Sequence, residues 1–454
     1  MKFVNIRLLP QEALQVIETL NAHHFDAFFV GGCVRDLLLG HEVHDYDITT
    51  NAQPAQVIEI FSNICKVLLT GIKHGTVTLC FAPMAIEVTT YRIETEYLDH
   101  RSPNKIAFTN ELRLDLARRD FTINAMAFHP SLGIIDLFDG QTDLKEKRIR
   151  CVGDPEKRLE EDALRILRAV RFSVTLCFTI DPALQFAIQK KAALLTYLSK
   201  ERIRDELNRI LKSKQTRLLR MLDQLFILPY LFPQLVPLRL LKQETPWHLY
   251  DVFEHTDRAL DHSIGAPLPQ RLALLYHDCG KAYTKTMDAN GIAHFKGHAS
   301  ISANIAESAL KDLRYDKKMI RQVTSIIYYH DTYVNTTEVD IRRFLYGIAF
   351  DYALAYDIFA VQFADNCAKN PHKAQIKNEN IKQILSILHE MEKKNIRYTL
   401  HELAINGSDL LALGFQGKEI KACLEAALLQ VIEDPQKNTR EQLLNYIQSN
   451  KKDI

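Results

Sequence analysis

Val30-Gly31-Gly32-Cys33-Val34-Arg35-Asp36-Leu37-Leu38-Leu39-Gly40, followed closely by Asp45-Tyr46-Asp47-Ile48-Thr49, is the stretch that decides the reading of this chain. Ala27 to Val30 is a short apolar run ending at two glycines, the pattern of a buried strand entering a turn. The turn opens a short helix whose N-terminus offers free backbone N–H groups to a phosphate, and Gly31 and Gly32 let backbone approach an anion with no Cβ in the way. Asp45 and Asp47 stand two apart in a strand-like segment, so both carboxylates point to one face. Side by side they repel unless a cation joins them, and magnesium, which takes one or two carboxylates plus substrate phosphates, suits such a pair. Either signal alone is equally a Gly-Gly turn or two solvated aspartates; the two together at this spacing favour a phosphate and metal site.

The 454 residues exceed one compact core, and two to four modules are expected. An apolar fraction of 47% and a charged fraction of 25% are those of a globular protein. The formal net charge of +1 excludes a uniformly basic nucleic-acid binder but not a local basic face. Eight cysteines with no CxxC pair indicate neither a disulfide framework nor a zinc ribbon, and a reducing cytosol fits them. The N-terminus has no long apolar stretch, and no run of about eighteen apolar residues occurs, so a cytoplasmic protein with no membrane partner is expected.

Outward from the opening motif, Thr76 to Phe81, Ile86 to Thr90, Ala125 to Phe128 and Gly133 to Leu137 have strand patterns. From about residue 155 the pattern is helical almost to the end. The expected fold is therefore α+β, a small mixed head at 1–150 followed by an elongated all-α remainder. Pro233, Pro237 and Pro246 punctuate the helices and mark a junction. Glu87, at a strand end, is either a third acid beside the metal or a solvated terminus. The polar stretch from Arg92 to Arg113, with Tyr97, Asp99, Arg101 and Pro103, is long for a loop, and such loops are functional or mobile.

Arg118-Arg119-Asp120 can pair with triphosphate and ribose, or form a surface ion pair. In a helix over Glu160 to Phe172, Glu161, Asp162, Arg165 and Arg168 share about a third of the circumference, opposite Ile166, Leu167 and Val170. That is an amphipathic helix with ion pairs, or a reader of base edges. A carboxylate accepts from an exocyclic amine while a guanidinium donates to the adjacent ring nitrogen. Cytosine and adenine offer that pair; uracil and guanine place a carbonyl there. Asp162 and Arg165 would then admit C and A at about 1–3 kcal/mol per contact. Lys190, Lys191, Lys200, Arg202, Arg204, Arg209, Lys212, Lys214, Arg217 and Arg220 form a phosphate-contacting surface or a solvated charged face.

In this order the motifs resemble those of the class II tRNA nucleotidyltransferases, the CCA-adding enzymes of the polymerase-beta superfamily. The Gly-Gly and Asp45-x-Asp47 stretch resembles the catalytic motif, Arg118-Arg119-Asp120 the ribose- and phosphate-contacting motif, and Glu161-Asp162-x-x-Arg165 the protein template for CTP and ATP. Lys200-Glu201-Arg202-Ile203-Arg204-Asp205-Glu206-Leu207 resembles the neck motif that braces the template helix, and Ile405-Asn406-Gly407-Ser408-Asp409-Leu410 with Leu413-Gly414 the tail that packs on tRNA. The resemblance implies template-independent addition of C, C and A to tRNA 3′ ends. Asp45 and Asp47 would hold Mg2+, Gly31, Gly32 and Arg35 would seat the triphosphate, Arg118, Asp120 and Arg168 would position ribose and phosphates, and Asp162 and Arg165 would select the base. It also implies a neck at 151–225, a helical body at 226–375 and a tail at 376–454.

Bacterial poly(A) polymerase shares the head and neck and is the first alternative. It typically carries a basic C-terminal extension, whereas this sequence closes on Lys451-Lys452-Asp453-Ile454. The Arg92 to Arg113 stretch resembles the flexible loop of full CCA-adding enzymes, so full CCA addition is expected. In the body, His255, His277-Asp278-Cys279-Gly280-Lys281 and Asp365 follow the order of HD-family metal phosphohydrolases, with His298 and His330 available to a second metal. His and carboxylate together suit a transition metal that activates water. The choice is between a metal site, with or without hydrolysis, and an inherited scaffold of buried, hydrogen-bonded histidines. An HD phosphohydrolase whose head only binds nucleotide is the second alternative.

Overall fold

In the computed structural model, Ala27–Val30 forms a strand with all four residues buried, as a central strand covered on both faces requires. The structure describes residues 9–43, 45–97 and 103–451. Asp99 and Arg101, and Lys452, Asp453 and Ile454, lie outside them.

In chain order the head contains α1 (Gln11–Ala22), β1 (Ala27–Val30), α2 (Gly32–Leu39), β2 (Tyr46–Thr50), α3 (Pro54–Phe61), β3 (Lys66–Leu68), β4 (Thr76–Phe81), β5 (Met84–Thr90), β6 (Arg92–Tyr97) and β7 (Pro103–Phe108). There follow α4 (Leu112–Ala117), β8 (Met126–His129), β9 (Gly133–Asp136), α5 (Gly140–Lys145) and β10 (Arg148–Ile149). Seven strands make one sheet in the order β3-β4-β5-β2-β1-β8-β9. All its neighbours are antiparallel except β2 with β5, which run parallel and set Asp47 opposite Glu87. Phe29 stacks on Phe128 across β1 and β8 at 6.2 Å.

The stretch from Arg92 to Arg113 is not the loop that its polarity suggests. Arg92 pairs with Phe108 and Tyr97 with Pro103 in a two-stranded hairpin, and Arg113 belongs to α4. A hairpin outside the main sheet has no face to bury, so it carries no apolar alternation to betray it.

Helices dominate beyond this point: α6 (Pro155–Glu161), α7 (Leu164–Leu176), the short β11 (Thr179–Ile180), α8 (Pro182–Lys191) and α9 (Lys200–Leu211). The expected single helix over Glu160 to Phe172 is two. The chain turns extended at Asp162 (φ −139°, ψ 105°) before resuming at Leu164. α7 buries Ile166, Leu167, Ala169 and Val170 and packs on α9. β11 pairs with β10, so the head and the first helices after it are joined by a second small sheet.

Contacts divide the chain into two compact units, one of residues 1–215 with 221–233, the other of 216–220 with 234–454. Pro233 falls at that division. Apart from a two-stranded ribbon at Thr286–Met287 and Ala293–His294, the second unit is helical among its described residues. Its final segment keeps its own apolar cluster, including Ile405, Leu410, Phe415 and Leu428. The tail helix Gly407–Ala412 starts in a capping box between Asn406 and Asp409. Among the described residues no single helix is long and apolar enough to cross a membrane.

Candidate active site and metal centre

β1 delivers the chain to Gly31, whose φ of +76° lies in the region that glycine adopts freely. α2 starts at the next residue, so its unpaired amides stand at the strand end. A Cβ added to Gly31 would meet Arg119 Nη1 at 3.1 Å and Asp47 Oδ2 at 3.5 Å, so turn, guanidinium and carboxylate converge. Gly31→Ala should lower stability by about 1–2 kcal/mol through its backbone strain and weaken nucleotide binding. Thermal melting and a nucleotide titration on the same preparation check both.

Asp47 is half-buried in β2; Asp45, one residue before the strand, is exposed, as is Glu87. Burial raises the Asp47 carboxyl above the ordinary carboxylate range, Arg119 opposes, and Glu87 and Asp45 push it further up. Glu87 is therefore an electrostatic neighbour of Asp47 as well as its register partner. Partly desolvated oxygens that repel one another fit a hard cation such as magnesium. Among the described residues the head has no three candidate ligand atoms already within 4.8 Å of one another.

Buried Asp115 accepts from Thr49 Oγ1 at 3.1 Å, Arg118 Nε at 2.8 Å and Arg119 Nη2 at 3.4 Å. Burial would raise its carboxyl, but the two guanidiniums outweigh that and hold it low. Of this arginine pair the sequence reading selects Arg118, whereas the geometry puts Arg119 beside Gly31 and Asp47. The spacing of Asp115 to Arg119, i to i+4, is the signal that places both on one turn.

Asp120 accepts from Arg168 Nε at 2.7 Å and Asn124 Nδ2 at 3.1 Å. Burial acts to raise its carboxyl; Arg168, Asn124 and the Phe121 N–H prevail and hold it at about 2. Asn124 Oδ1 in turn accepts from Arg35 Nη1 at 2.7 Å, and Arg35 forks onto Asp36. Arg35 thus lines the cleft as part of a network joining α2 to α7, rather than as a guanidinium held out for phosphate.

Asp162 Oδ1 accepts from Leu164 N at 3.1 Å, and Arg202 Nη2 reaches Oδ1 and Oδ2 at 3.1 and 3.0 Å. Arg165 donates to Glu161 Oε2 at 2.6 Å, to Arg158 O at 2.8 Å and to Arg118 O at 3.2 Å. Glu161 therefore anchors arginines and takes no place in the cleft wall. A cleft of about 610 Å3 is lined by Gly31, Gly32, Asp47, Arg119, Asp162, Arg165 and Arg168, with Arg35, Arg118 and Asp120 also on its wall. Arg209, of the basic run, lines it too, as do Arg171 and Phe172, which the motifs do not single out. Burial, then Arg168, lowers Arg171 to about 10. Three guanidiniums, of Arg35, Arg168 and Arg171, lie 4.3–5.3 Å from the Phe172 ring centroid.

The basic run is not a bare phosphate surface. Lys190 bonds Glu156, Lys191 bonds Glu160, Arg202 bonds Asp162, Arg204 bonds Asp205 and Arg217 bonds Glu254.

In the second unit, His255, His277, Asp278 and Asp365 meet although the chain separates them by up to 110 residues. His277, His298 and His330 each place Nδ1 2.6–2.8 Å from the carbonyl three residues earlier. An Nδ1–H that donates there leaves Nε2 as a lone pair facing inward. His298 and His330 bring those two nitrogens to 3.3 Å, and Asp278 Oδ1 lies 3.5 and 3.9 Å from them. Among the described residues His277 Nε2 and Asp278 Oδ1 are buried with no hydrogen-bond partner. Two sets, His255-His277-Asp365 and His277-Asp278-His330, hold their ligand atoms within 4.8 Å of one another. Burial lowers His255, and burial and His277 lower His330 to about 3. Lys281 and Lys369 donate to Oδ2 of Asp278 and of Asp365 at 2.8 and 2.6 Å. Converging imidazole nitrogens and carboxylates fit a transition metal.

A glycine turn at a helix N-terminus, two strand acids and an arginine-rich cleft define a polymerase-beta-type nucleotidyltransferase head. Residues 27–150 match the Poly A polymerase head domain, 177–238 the probable RNA and SrmB-binding site of polymerase A, and 285–447 tRNA nucleotidyltransferase domain 2. The chain belongs to the class II tRNA nucleotidyltransferases. It is 50% identical over 195 residues to the CCA-adding enzyme of Lactobacillus helveticus, covering 43% of this chain and 48% of that one. Over 211 residues it is 45% identical to the CCA-adding enzyme of Streptococcus suis, covering 46% and 52%. The match thus spans about half the length of these curated relatives. The Bacillus stearothermophilus CCA-adding enzyme in complex with CTP superposes with a TM-score of 0.69 at 28% identity, covering 98% of this chain and 99% of that one. The Thermotoga maritima CCA-adding enzyme complexed with tRNA shares the fold, with a TM-score of 0.60 at 21% identity over 99% of this chain and 98% of that one.

Proposed function

We propose that this protein adds C, C and A to the 3′ end of tRNA from CTP and ATP in the cytoplasm, with release of pyrophosphate. The observation that carries this is the shared cleft, which has Gly31 and Asp47 together with Asp162 and Arg165 on its walls. The names of the relatives and the CTP complex of the Bacillus enzyme support it. Asp45 and Asp47, with Glu87 beside them, would hold magnesium, which when bound neutralises phosphate charge and eases deprotonation of the attacking ribose hydroxyl. Gly31, Gly32 and the α2 amides take the triphosphate, with Arg118 and Arg119 on the same wall. Asp120 fixes Arg168 toward ribose and phosphate, and Arg35 steadies Asn124 behind Asp120. Asp162 accepts the exocyclic amine of C or A while Arg165 donates to the ring nitrogen. Single-nucleotide extension of tRNA transcripts ending at the discriminator base, at C and at CC tests this. CTP should extend the first two, and ATP only the third. Extension from CC alone would make it an A-adding specialist.

The inward-facing Nε2 atoms support a second reading for the helical body. His255, His277, Asp278 and Asp365 would bind a transition metal, with His298 and His330 available to a second ion. A metal bound there supplies an activated water, the chemistry of phosphohydrolases. Metal analysis of the purified protein should find a transition metal that His277→Ala with Asp278→Ala removes, while tRNA extension persists. Unchanged metal content in that variant would refute this reading. Phosphate release that survives loss of Asp45 and Asp47, but not of His277 and Asp278, would mark hydrolysis as the body's own activity.

A further inference from the structure

Arg118 and Arg119 follow directly on α4, and the last carbonyls of a helix have no partner within it. Asp115 holds the two guanidiniums, but the backbone that carries them is held from elsewhere. Arg158, on α6 and 39–41 residues away, donates Nη2 to Ala117 O and, at 2.9 Å, to Arg119 O. Arg165 Nη2 donates to the carbonyl between them, Arg118 O, at 3.2 Å. Two guanidiniums thus grip three consecutive carbonyls, and Glu161 Oε2 accepts from Nη1 of both at 2.6 Å. We propose that Arg158 is a positioning residue for the triphosphate, fixing the turn after α4 so that Arg119 keeps its guanidinium beside Gly31 and Asp47.

The place of each group supports this. Arg119 Nη1 lies 3.1 Å from where a Cβ on Gly31 would stand, at the mouth of the glycine turn. Arg118, Arg119 and Arg165 line the cleft, whereas Arg158 stands outside its wall and so acts on a bound nucleotide only through other residues. One nitrogen of a planar guanidinium carries two hydrogens and can bridge carbonyls two residues apart; an ammonium on a flexible stem fixes no such plane. Glu161 pairs with the Arg158 charge at 2.6 Å, so Arg158 supplies geometry to the turn and its charge is answered locally. The same carboxylate oxygen holds Arg165, so the base-reading and phosphate-binding ends of the cleft hang on one anchor. A guanidinium aimed at a phosphate must be held to within a fraction of an ångström to be worth its full value.

The inference rests on Arg119 seating the triphosphate, and the experiment separates the two claims. Addition of C to a tRNA transcript ending at the discriminator base is measured with the full chain and four variants: Arg158→Gln, Arg158→Lys, Arg119→Gln, and Arg158→Gln with Arg119→Gln. Inorganic tripolyphosphate, which has the phosphates but no base, serves as competing inhibitor. Arg158→Gln should raise KM for CTP and Ki for tripolyphosphate together, by roughly tenfold, less than the hundredfold or so that a full ångström of misplacement can cost. The choice of CTP over UTP should stay parental, because Asp162 and Arg165 keep their places. Arg119→Gln should show at least the same rise, and the double variant should add nothing to it, since a residue that acts through another has no effect once that one is gone. Should Arg158→Gln not fold, Arg158→Lys decides, with a smaller rise. Parental KM and Ki in the folded Arg158 variants, with Arg119→Gln impaired, overturn the positioning role alone. So does a double variant in which the two losses multiply. A lower melting midpoint and kcat with Ki unchanged would make Arg158 a structural brace, and overturns it likewise. Parental values in Arg119→Gln would overturn the triphosphate reading itself.

Discussion

Asp45→Ala combined with Asp47→Ala should reduce nucleotide incorporation to below about one-thousandth of the parental rate, since removing even one electrostatic group at a reacting phosphate costs roughly 10²–10³. The loss should fall on the chemical step. tRNA affinity, measured by filter binding, should stay within a few-fold, because the residues proposed to contact the acceptor are spread over the neck and tail. The fold should also survive. Burial outweighs the attraction of Arg119, and Glu87 and Asp45 add repulsion, so the net upward push on the Asp47 carboxyl means that its removal relieves more desolvation and repulsion than the Arg119 contact supplies. Thermal melting should therefore show an equal or slightly higher midpoint. Retained turnover in the double variant would remove the metal assignment at Asp45 and Asp47.

Asp120→Ala should be the most destabilising change at the cleft, by about 3 kcal/mol, since it leaves Arg168 and Asn124 without their partner. The lower end of the range for buried pairs applies because the Arg168 side chain retains 32% exposure. The same residue sets an acid limb of stability. Its folded-state carboxyl sits at about 2, below the ordinary 3.8 of the unfolded chain. A depressed folded value stabilises fully above the unfolded value, and the gain disappears as pH falls through the folded one. About 2 kcal/mol should thus be lost between roughly pH 4.5 and 1.5. Denaturant titrations at a series of pH values should show that limb in the parent and a flatter one in Asp120→Ala.

Much of the head was legible because its signals are local. An apolar run that ends in two glycines specifies strand, turn and helix within a dozen residues, and Asp47 falls in the strand that the pattern suggests, with Asp45 one residue before it. The split between a mixed head and helical remainder followed from period. What escaped was decided by partners distant in sequence. Nothing in Glu161-Asp162-Ala163 interrupts a helix by composition, with neither Gly nor Pro present, and Arg202 grips the break from a helix 40 residues on. Arg35 looked like a phosphate ligand until Asn124 and Asp36 were found holding it. Half of the basic run is held in ion pairs, four of the five with acids 31–40 residues away. The His and Asp order in the body was readable; that three imidazoles turn Nδ1 to a carbonyl one helical turn back, and so point Nε2 inward, was not.

The central claim is that one cleft in the head builds a finite, ordered CCA end. Its most direct test is the length of product made on a tRNA transcript lacking all three nucleotides, with CTP and ATP supplied together and a generic RNA run in parallel. The account predicts one product, three nucleotides longer and ending CCA, with the generic RNA left unextended. Open-ended A tails on both RNAs would contradict it and assign the cleft to poly(A) synthesis.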